Sequence, residues 1–140
     1  MTADLRTIQP DAPMGTKTPP TLMVIEDDAH SSYLMGRYAR TCGCRSVNLR
    51  YGEDAPAFAR QVRPALILLD LGLPGVSGWE VLQALKADPV TQHIPIIICS
   101  AGSEAHRAKV EGAAGYLQKP IYYEAFLKVL KEAGVEVPLE

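Results

Sequence analysis

The sequence predicts an α/β domain built on a parallel sheet, and three of its features carry that prediction. Short aliphatic runs, Leu22-Met23-Val24-Ile25, Leu66-Ile67-Leu68-Leu69 and Ile94-Pro95-Ile96-Ile97-Ile98, have the length and apolar character of strands buried on both faces. Between them lie stretches whose apolar residues recur at helical spacing, as the crossovers between parallel strands require. Acidic or Gly/Pro-rich punctuation follows the strands: Glu26-Asp27-Asp28 after Ile25, and Asp70-Leu71-Gly72-Leu73-Pro74-Gly75 after Leu69.

Taken in order, residues 1–20 carry Pro10, Pro13, Pro19 and Pro20 among polar residues and show no sustained apolar period, so a flexible tail is expected. Thr21 to Ile25 forms the first strand. Asp28 is placed to cap the next helix, in which Leu34, Met35, Tyr38, Ala39 and Cys42 keep helical spacing until Gly43 ends it. Arg45 to Leu49 is a short second strand. Ala55, Phe58, Ala59 and Val62 recur at i, i+3, i+4 and i+7, with Pro56 tolerated in the first turn of a second helix. The third strand runs to Asp70. Ser77 and Glu80 make an S-x-x-E capping box for a helix that turns Val81, Leu82 and Leu85 inward, and Asp88-Pro89 stops it. The fourth strand is read as Ile94 to Cys99, with Pro95 acceptable near its start. A short, weakly amphipathic helix, roughly Glu104 to Glu111, leads to a fifth strand at Tyr116-Leu117-Gln118. Lys119-Pro120 breaks that strand, and Tyr123, Phe126, Leu127 and Leu130 mark a fifth helix.

With 140 residues and 47% hydrophobic content, the chain has material for one core, expected over residues 21–134, with 135–140 as a C-terminal tail. A net charge of -2, with basic residues dispersed, leaves no electrostatic footprint for nucleic acid. No apolar run approaches the ~20 residues that span a bilayer, and no secretory leader is visible, so a cytoplasmic protein that does not engage membranes is expected. Cys42, Cys44 and Cys99 form no CxxC pair; Cys42-Gly43-Cys44 has no histidine at ligand spacing for a metal and is awkward to bridge as a disulfide, and Cys99, ending an apolar run, is read as a small core residue.

In a parallel α/β sheet the site lies beyond the carboxyl ends of the strands. That rule gathers Glu26 and Asp27 after strand one, Asp70 at the end of strand three, Ser100 after strand four and Lys119 after strand five. Clustered carboxylates are costly unless a cation or a proton relieves them. Bland readings take the other polar groups: Asp28 and Ser77 as helix caps, His30, His93 and His106 as solvated, Tyr51 and Trp79 as packing or surface residues.

The ordered set Glu26-Asp27, Leu69-Asp70 with Leu73-Pro74-Gly75 and Gly78, Ser100-Ala101, and Gly112 through Lys119-Pro120 resembles the receiver domain of two-component response regulators, in particular the single-domain, chemotaxis-regulator-like members. The resemblance covers about residues 21–134. It implies a flavodoxin-like, doubly wound, five-stranded sheet of order 2-1-3-4-5 with five helices, and a cis bond at Lys119-Pro120. It further implies a phosphoacceptor rather than an enzyme in the ordinary sense: Asp70 takes a phosphoryl group from a histidine kinase or a histidine phosphotransfer protein, later loses it by slow autodephosphorylation, and a partner-binding surface switches.

The chemistry is consistent with that implication. A carboxylate attacking an anionic phosphorus needs its repulsion removed, which Mg²⁺ held by Asp27, Asp70, the carbonyl of Gly72 and, through water, Glu26 would accomplish. Lys119 and the Ser100 hydroxyl would contact phosphoryl oxygens, and movement of Ser100 would couple to the ring of Tyr116. Output is expected around Tyr116, Tyr122 and Tyr123, toward an unidentified protein partner.

Two departures from the family pattern stand out. The interval from Ser100 to Lys119 is shorter than usual by about one helical turn, shortening the fourth helix. Gly72 and Gly102 also offer no side chain at positions where family members often tune hydrolysis of the phosphoaspartate. Other classes fit less well: a dehalogenase-type phosphatase needs an acid where Gly72 stands, and a flavin carrier needs a phosphate cradle where Glu26-Asp27-Asp28 would repel one. The alternative is a receiver-like interaction module that works without phosphorylation.

Overall fold

Five parallel strands in the order β2-β1-β3-β4-β5 form the sheet of the computed structural model, which describes residues 18–139. The expected tail of residues 1–20 lies, up to residue 17, outside the described residues. The strands are β1 Thr21–Ile25, β2 Arg45–Leu49, β3 Leu66–Asp70, β4 Ile96–Ser100 and β5 Gly115–Gln118. The helices are α1 Ala29–Thr41, α2 Ala55–Val62, α3 Gly78–Ala87, α4 Ala105–Val110 and α5 Tyr123–Glu132, with one 3-10 turn at Gly52–Asp54. This is the doubly wound, flavodoxin-like architecture expected, short fourth helix included.

Alternation along each strand divides the core into two layers. Leu22, Val24, Leu66, Leu68, Ile97 and Cys99 point to one face, where Met35 and Ala39 of α1 and Phe126, Val129 and Leu130 of α5 cover them. Met23, Ile25, Ile67, Leu69, Ile96 and Ile98 point to the other, under Ala59 of α2, Val81, Leu82 and Leu85 of α3 and Ala108 of α4. Period-two strands without polar residues thus need helices on both faces. The caps behave as the sequence indicates: the Asp28 carboxylate accepts from the Ser31 N–H at 2.8 Å, and Ser77 with Glu80 completes its capping box.

Two readings of the elements need correction. Strand β4 begins at Ile96 rather than Ile94, because the Ile94 N–H is spent on the Thr91 carbonyl in a turn and Pro95 has no N–H to give the ladder. Phe58, placed by its period on the inner face of α2, is 41% exposed; the helix sits on Ala55 and Ala59, both fully buried. Ala57 and Phe58 therefore lie outside.

Cys42, Cys44 and Cys99 are buried, free thiols. The Cys42 and Cys44 sulfurs lie 3.7 Å apart, and burial, with Cys42 alongside, pushes the Cys44 thiol up to about 12. Beyond α5 the chain folds back on the end of α1: Val135 is buried, and the Leu139 N–H donates to the Cys42 carbonyl at 2.9 Å. Among the described residues no helix is long and apolar enough to cross a membrane.

Tyr38, Tyr123 and Phe126 form an aromatic cluster between α1 and α5, with ring centroids 5.3 Å apart for both Tyr38 pairs. The Tyr38 hydroxyl also donates to the Ile121 carbonyl at 2.9 Å, tying α1 to the segment after β5. Phe126 is fully buried at the centre of this cluster. Phe126→Ala is expected to lower stability by ~3–5 kcal/mol, read as a shift of the urea midpoint at unchanged slope.

Candidate functional site

Every residue of the cluster is held at the same edge because the sheet ladder continues one step past the strands. The Glu26 N–H donates to Leu49, Leu71 to Cys99 and Lys119 to Ser100, at 2.9, 3.1 and 2.8 Å. These bonds fix the backbone from which Glu26, Asp70 and Lys119 project. Gly78 adds a further constraint: a Cβ there would lie 2.9 Å from the Asp70 carbonyl oxygen and from Leu71 Cα, so only glycine lets the start of α3 abut the end of β3. The peptide bond Lys119-Pro120 is cis.

The Lys119 ammonium stands between two carboxylates, 2.8 Å from Glu26 Oε1 and 2.8 Å from Asp70 Oδ1. Glu26, Asp70 and Ser100 are buried. The second oxygen of each acid is also occupied: the Asp28 N–H donates to Glu26 Oε2 and the Gly72 N–H to Asp70 Oδ2, both at 3.1 Å. Burial pushes the Glu26 carboxyl above the usual range despite the hydrogen bonds from Lys119 and Asp28. Burial also opposes the charge on Lys119, but its hydrogen bonds to Asp70 and Glu26 outweigh that and hold the ammonium well above the usual lysine range.

The cleft around them, about 500 Å³, is lined by Asp27, Asp28, Gly72, Ser100 and Glu104 besides the ion triad. Oxygens of Glu26, Asp27 and Asp70 come within 4.8 Å of one another. An all-carboxylate donor set suits a hard divalent ion such as Mg²⁺ rather than zinc, and Asp27, half-buried with no partner among the described residues, has oxygens to give. The residues present therefore fit such an ion.

Structure thus brings together Glu26, Asp27, Asp70, Gly72, Ser100 and Lys119. Tyr116 stands one shell away, on β5: its hydroxyl donates to the Gly102 carbonyl and accepts from the Glu104 N–H at 3.2 Å, with the ring half-buried against the core under α4. His30, His93 and His106 are exposed, as read. Trp79 packs partly on the core, and the Arg107 guanidinium of α4 lies over its ring, 4.3 Å from the centroid.

One residue of the site went unread. Glu104, taken only as a helix start, sends its carboxylate back to the cleft, where Oε1 accepts from the Ser100 hydroxyl at 2.5 Å. The available signal was the pair Ala101-Gly102, which leaves an unfilled space beside the first acid of that loop.

Removing Lys119 would leave two carboxylates facing each other in a buried site. Losing one partner of such an arrangement costs ~3–5 kcal/mol, and because a quarter of the Lys119 side chain is exposed the expected loss for Lys119→Met at pH 7 is ~2–3 kcal/mol. Glu26, already held upward by burial, then loses the cation opposing that shift. A carboxyl whose folded value is raised gives up stability as pH climbs from its unfolded to its folded value. Urea titrations should therefore show the deficit of Lys119→Met shrinking as pH is lowered from 7 toward 5.

Comparison with known proteins agrees with this picture. Residues 22–131 match the response regulator receiver domain. The polar-differentiation response regulator DivK of Brucella anthropi is 34% identical over 116 residues, which is 81% of this chain and 94% of that protein. Chemotaxis protein CheY4 of Vibrio cholerae superposes with a TM-score of 0.77 at 22% identity, covering 83% of this chain and 99% of that one. The receiver domain of a Pseudomonas aeruginosa sensor histidine kinase, whose crystal structure has a magnesium ion coordinated in its active-site cleft, gives 0.76 at 21% identity over 84% of this chain and 99% of that one.

Proposed function

The chain belongs to the response regulator receiver domain family of two-component systems, and from that premise we propose that Asp70 accepts a phosphoryl group from a phosphohistidine donor. The observation that carries this reading is the Lys119 ammonium bridging Glu26 and Asp70 at 2.8 Å in a cleft that also presents the Ser100 hydroxyl. Such a site offers an incoming phosphoryl group a nucleophile, a cation and a donor at once. The receiver unit is taken as residues 21–134.

In the transfer, the P–N bond of the phosphohistidine breaks as a bond forms between phosphorus and an Asp70 carboxylate oxygen. The imidazole nitrogen leaves with the electron pair, so no general base is needed. Glu26, Asp27, Asp70 and Gly72 would hold Mg²⁺, which supplies charge neutralisation for the two anionic reactants. Lys119, released from one carboxylate oxygen, serves as a point charge for a phosphoryl oxygen. Ser100 donates to another, and the product reads out through Tyr116 toward β5 and the start of α5, where Tyr122 is 65% exposed. That surface is the proposed contact for a downstream protein. Slow hydrolysis of the acyl phosphate resets the domain.

Intact mass after incubation with a small acyl phosphate should show one phosphoryl adduct with Mg²⁺, none with EDTA and none in Asp70→Asn. An adduct that persists in Asp70→Asn, or none in the wild type across donors, would sink the assignment.

The carboxylate cluster yields a separate expectation. An ion that binds only the folded chain stabilises it by linkage, so Mg²⁺ at about ten times its dissociation constant should raise the melting temperature by roughly 3–5 °C. Asp27→Ala should abolish the shift; an equal shift in both proteins would remove Asp27 from the metal site.

A further inference from the structure

We propose that Glu104 is a latch on the phosphoacceptor site: its carboxylate competes with a phosphoryl group on Asp70 for the single proton of the Ser100 hydroxyl. The idea rests on Asp70 being the acceptor and deepens that reading. Three observations carry it. Ser100 Oγ donates to Glu104 Oε1 at 2.5 Å while accepting from the Gly102 N–H at 3.0 Å, so its one donor is committed. A Cβ on Gly102 would lie 2.8 and 3.1 Å from the two Glu104 carboxylate oxygens, so Glu104 fills the space that a side chain at position 102 would take. The backbone of the same residue is bound to the switch element, its N–H donating to the Tyr116 hydroxyl at 3.2 Å.

A hydroxyl has one hydrogen. When a phosphoryl oxygen takes it, the Glu104 carboxylate loses its donor and is left in the same cleft as a dianion. Like charges in a partly buried cleft repel, so Glu104 has to swing out as Ser100 turns in. Its backbone N–H belongs to the loop that Tyr116 holds at Gly102 and Glu104, so departure of the side chain loosens the grip of β5 on the start of α4. The glycine at position 102 is thereby functional: it admits a carboxylate from two residues further on.

The wild type, Glu104→Ala, Glu104→Gln, Ser100→Ala and the double variant Glu104→Ala/Ser100→Ala test the latch by phosphoryl uptake from a small acyl phosphate with Mg²⁺, followed by intact mass. Loss of a charge-assisted hydrogen bond that opposes the product should speed uptake about tenfold in Glu104→Ala. Glu104→Gln, which keeps an acceptor but not the charge, should fall between the two. The gain must vanish when Ser100→Ala is added, because the latch acts through that hydroxyl; an equal gain in the Ser100→Ala background, or no gain at all, overturns the proposal. A second readout needs no phosphoryl donor. In NMR spectra of the untreated protein, Glu104→Ala should shift the Gly102 amide and the Tyr116 ring signals, and unchanged signals overturn the latch. Absence of any adduct on the wild type, with those shifts present, would instead fault the acceptor assignment and leave the Glu104–Ser100 link standing.

Discussion

The ion triad of Glu26, Lys119 and Asp70 is the constraint on which the arrangement of the site depends. Two buried carboxylates at one sheet edge are tolerable only with a cation between them, and Lys119 supplies it from the strand at the far end of the sheet from β2. The distance along the chain is large, but the parallel order places β1 and β3 side by side and β5 one strand beyond β4. Neutralisation by the protein itself is modest by design of the geometry. A single ammonium shared by two carboxylates leaves one negative charge, and Asp27, Asp28 and Glu104 around the cleft add to it, so the cleft is acidic.

Neighbouring structure serves that triad. Ladder bonds from the N–H groups of Glu26, Leu71 and Lys119 to the carbonyls of Leu49, Cys99 and Ser100 carry the sheet one residue past the strands and set the origin of each side chain. The contact of Gly78 with the Asp70 carbonyl lets α3 close over the end of β3 without a gap. Backbone N–H groups of Asp28 and Gly72 take the outer carboxylate oxygens, so each acid is oriented by its own loop as well as by Lys119. Positioning of this kind is built into the fold before any ligand arrives.

Most of the fold and the composition of the site were legible in the sequence, for reasons that the exceptions make plain. Unbroken aliphatic runs define buried parallel strands, and the rule that sites gather at strand carboxyl ends collects Glu26, Asp27, Asp70, Ser100 and Lys119 without any side-chain detail. The start of β4 was misread because periodicity does not reveal that the Ile94 N–H is already engaged by Thr91. Phe58 was misread because its spacing matches Ala55 and Ala59 equally well, and only the close seating of α2 on those two alanines decides which face is inside. Glu104 was missed for a third reason. A side chain that folds back across a glycine leaves only that glycine as its mark in the sequence, since its partner Ser100 is found through loop geometry rather than through helix or strand spacing.

The contact between Arg107 and Trp79 has an optical meaning. Trp79 is the sole tryptophan of the chain, it sits in the first turn of α3, and the guanidinium resting on its ring belongs to the short helix α4. Indole emission is sensitive to a charge held against the ring, so the spacing between these two helices is written into the colour and intensity of the protein's own fluorescence. The element shortened in this chain is thereby the one whose displacement can be followed in solution in real time, with no label attached.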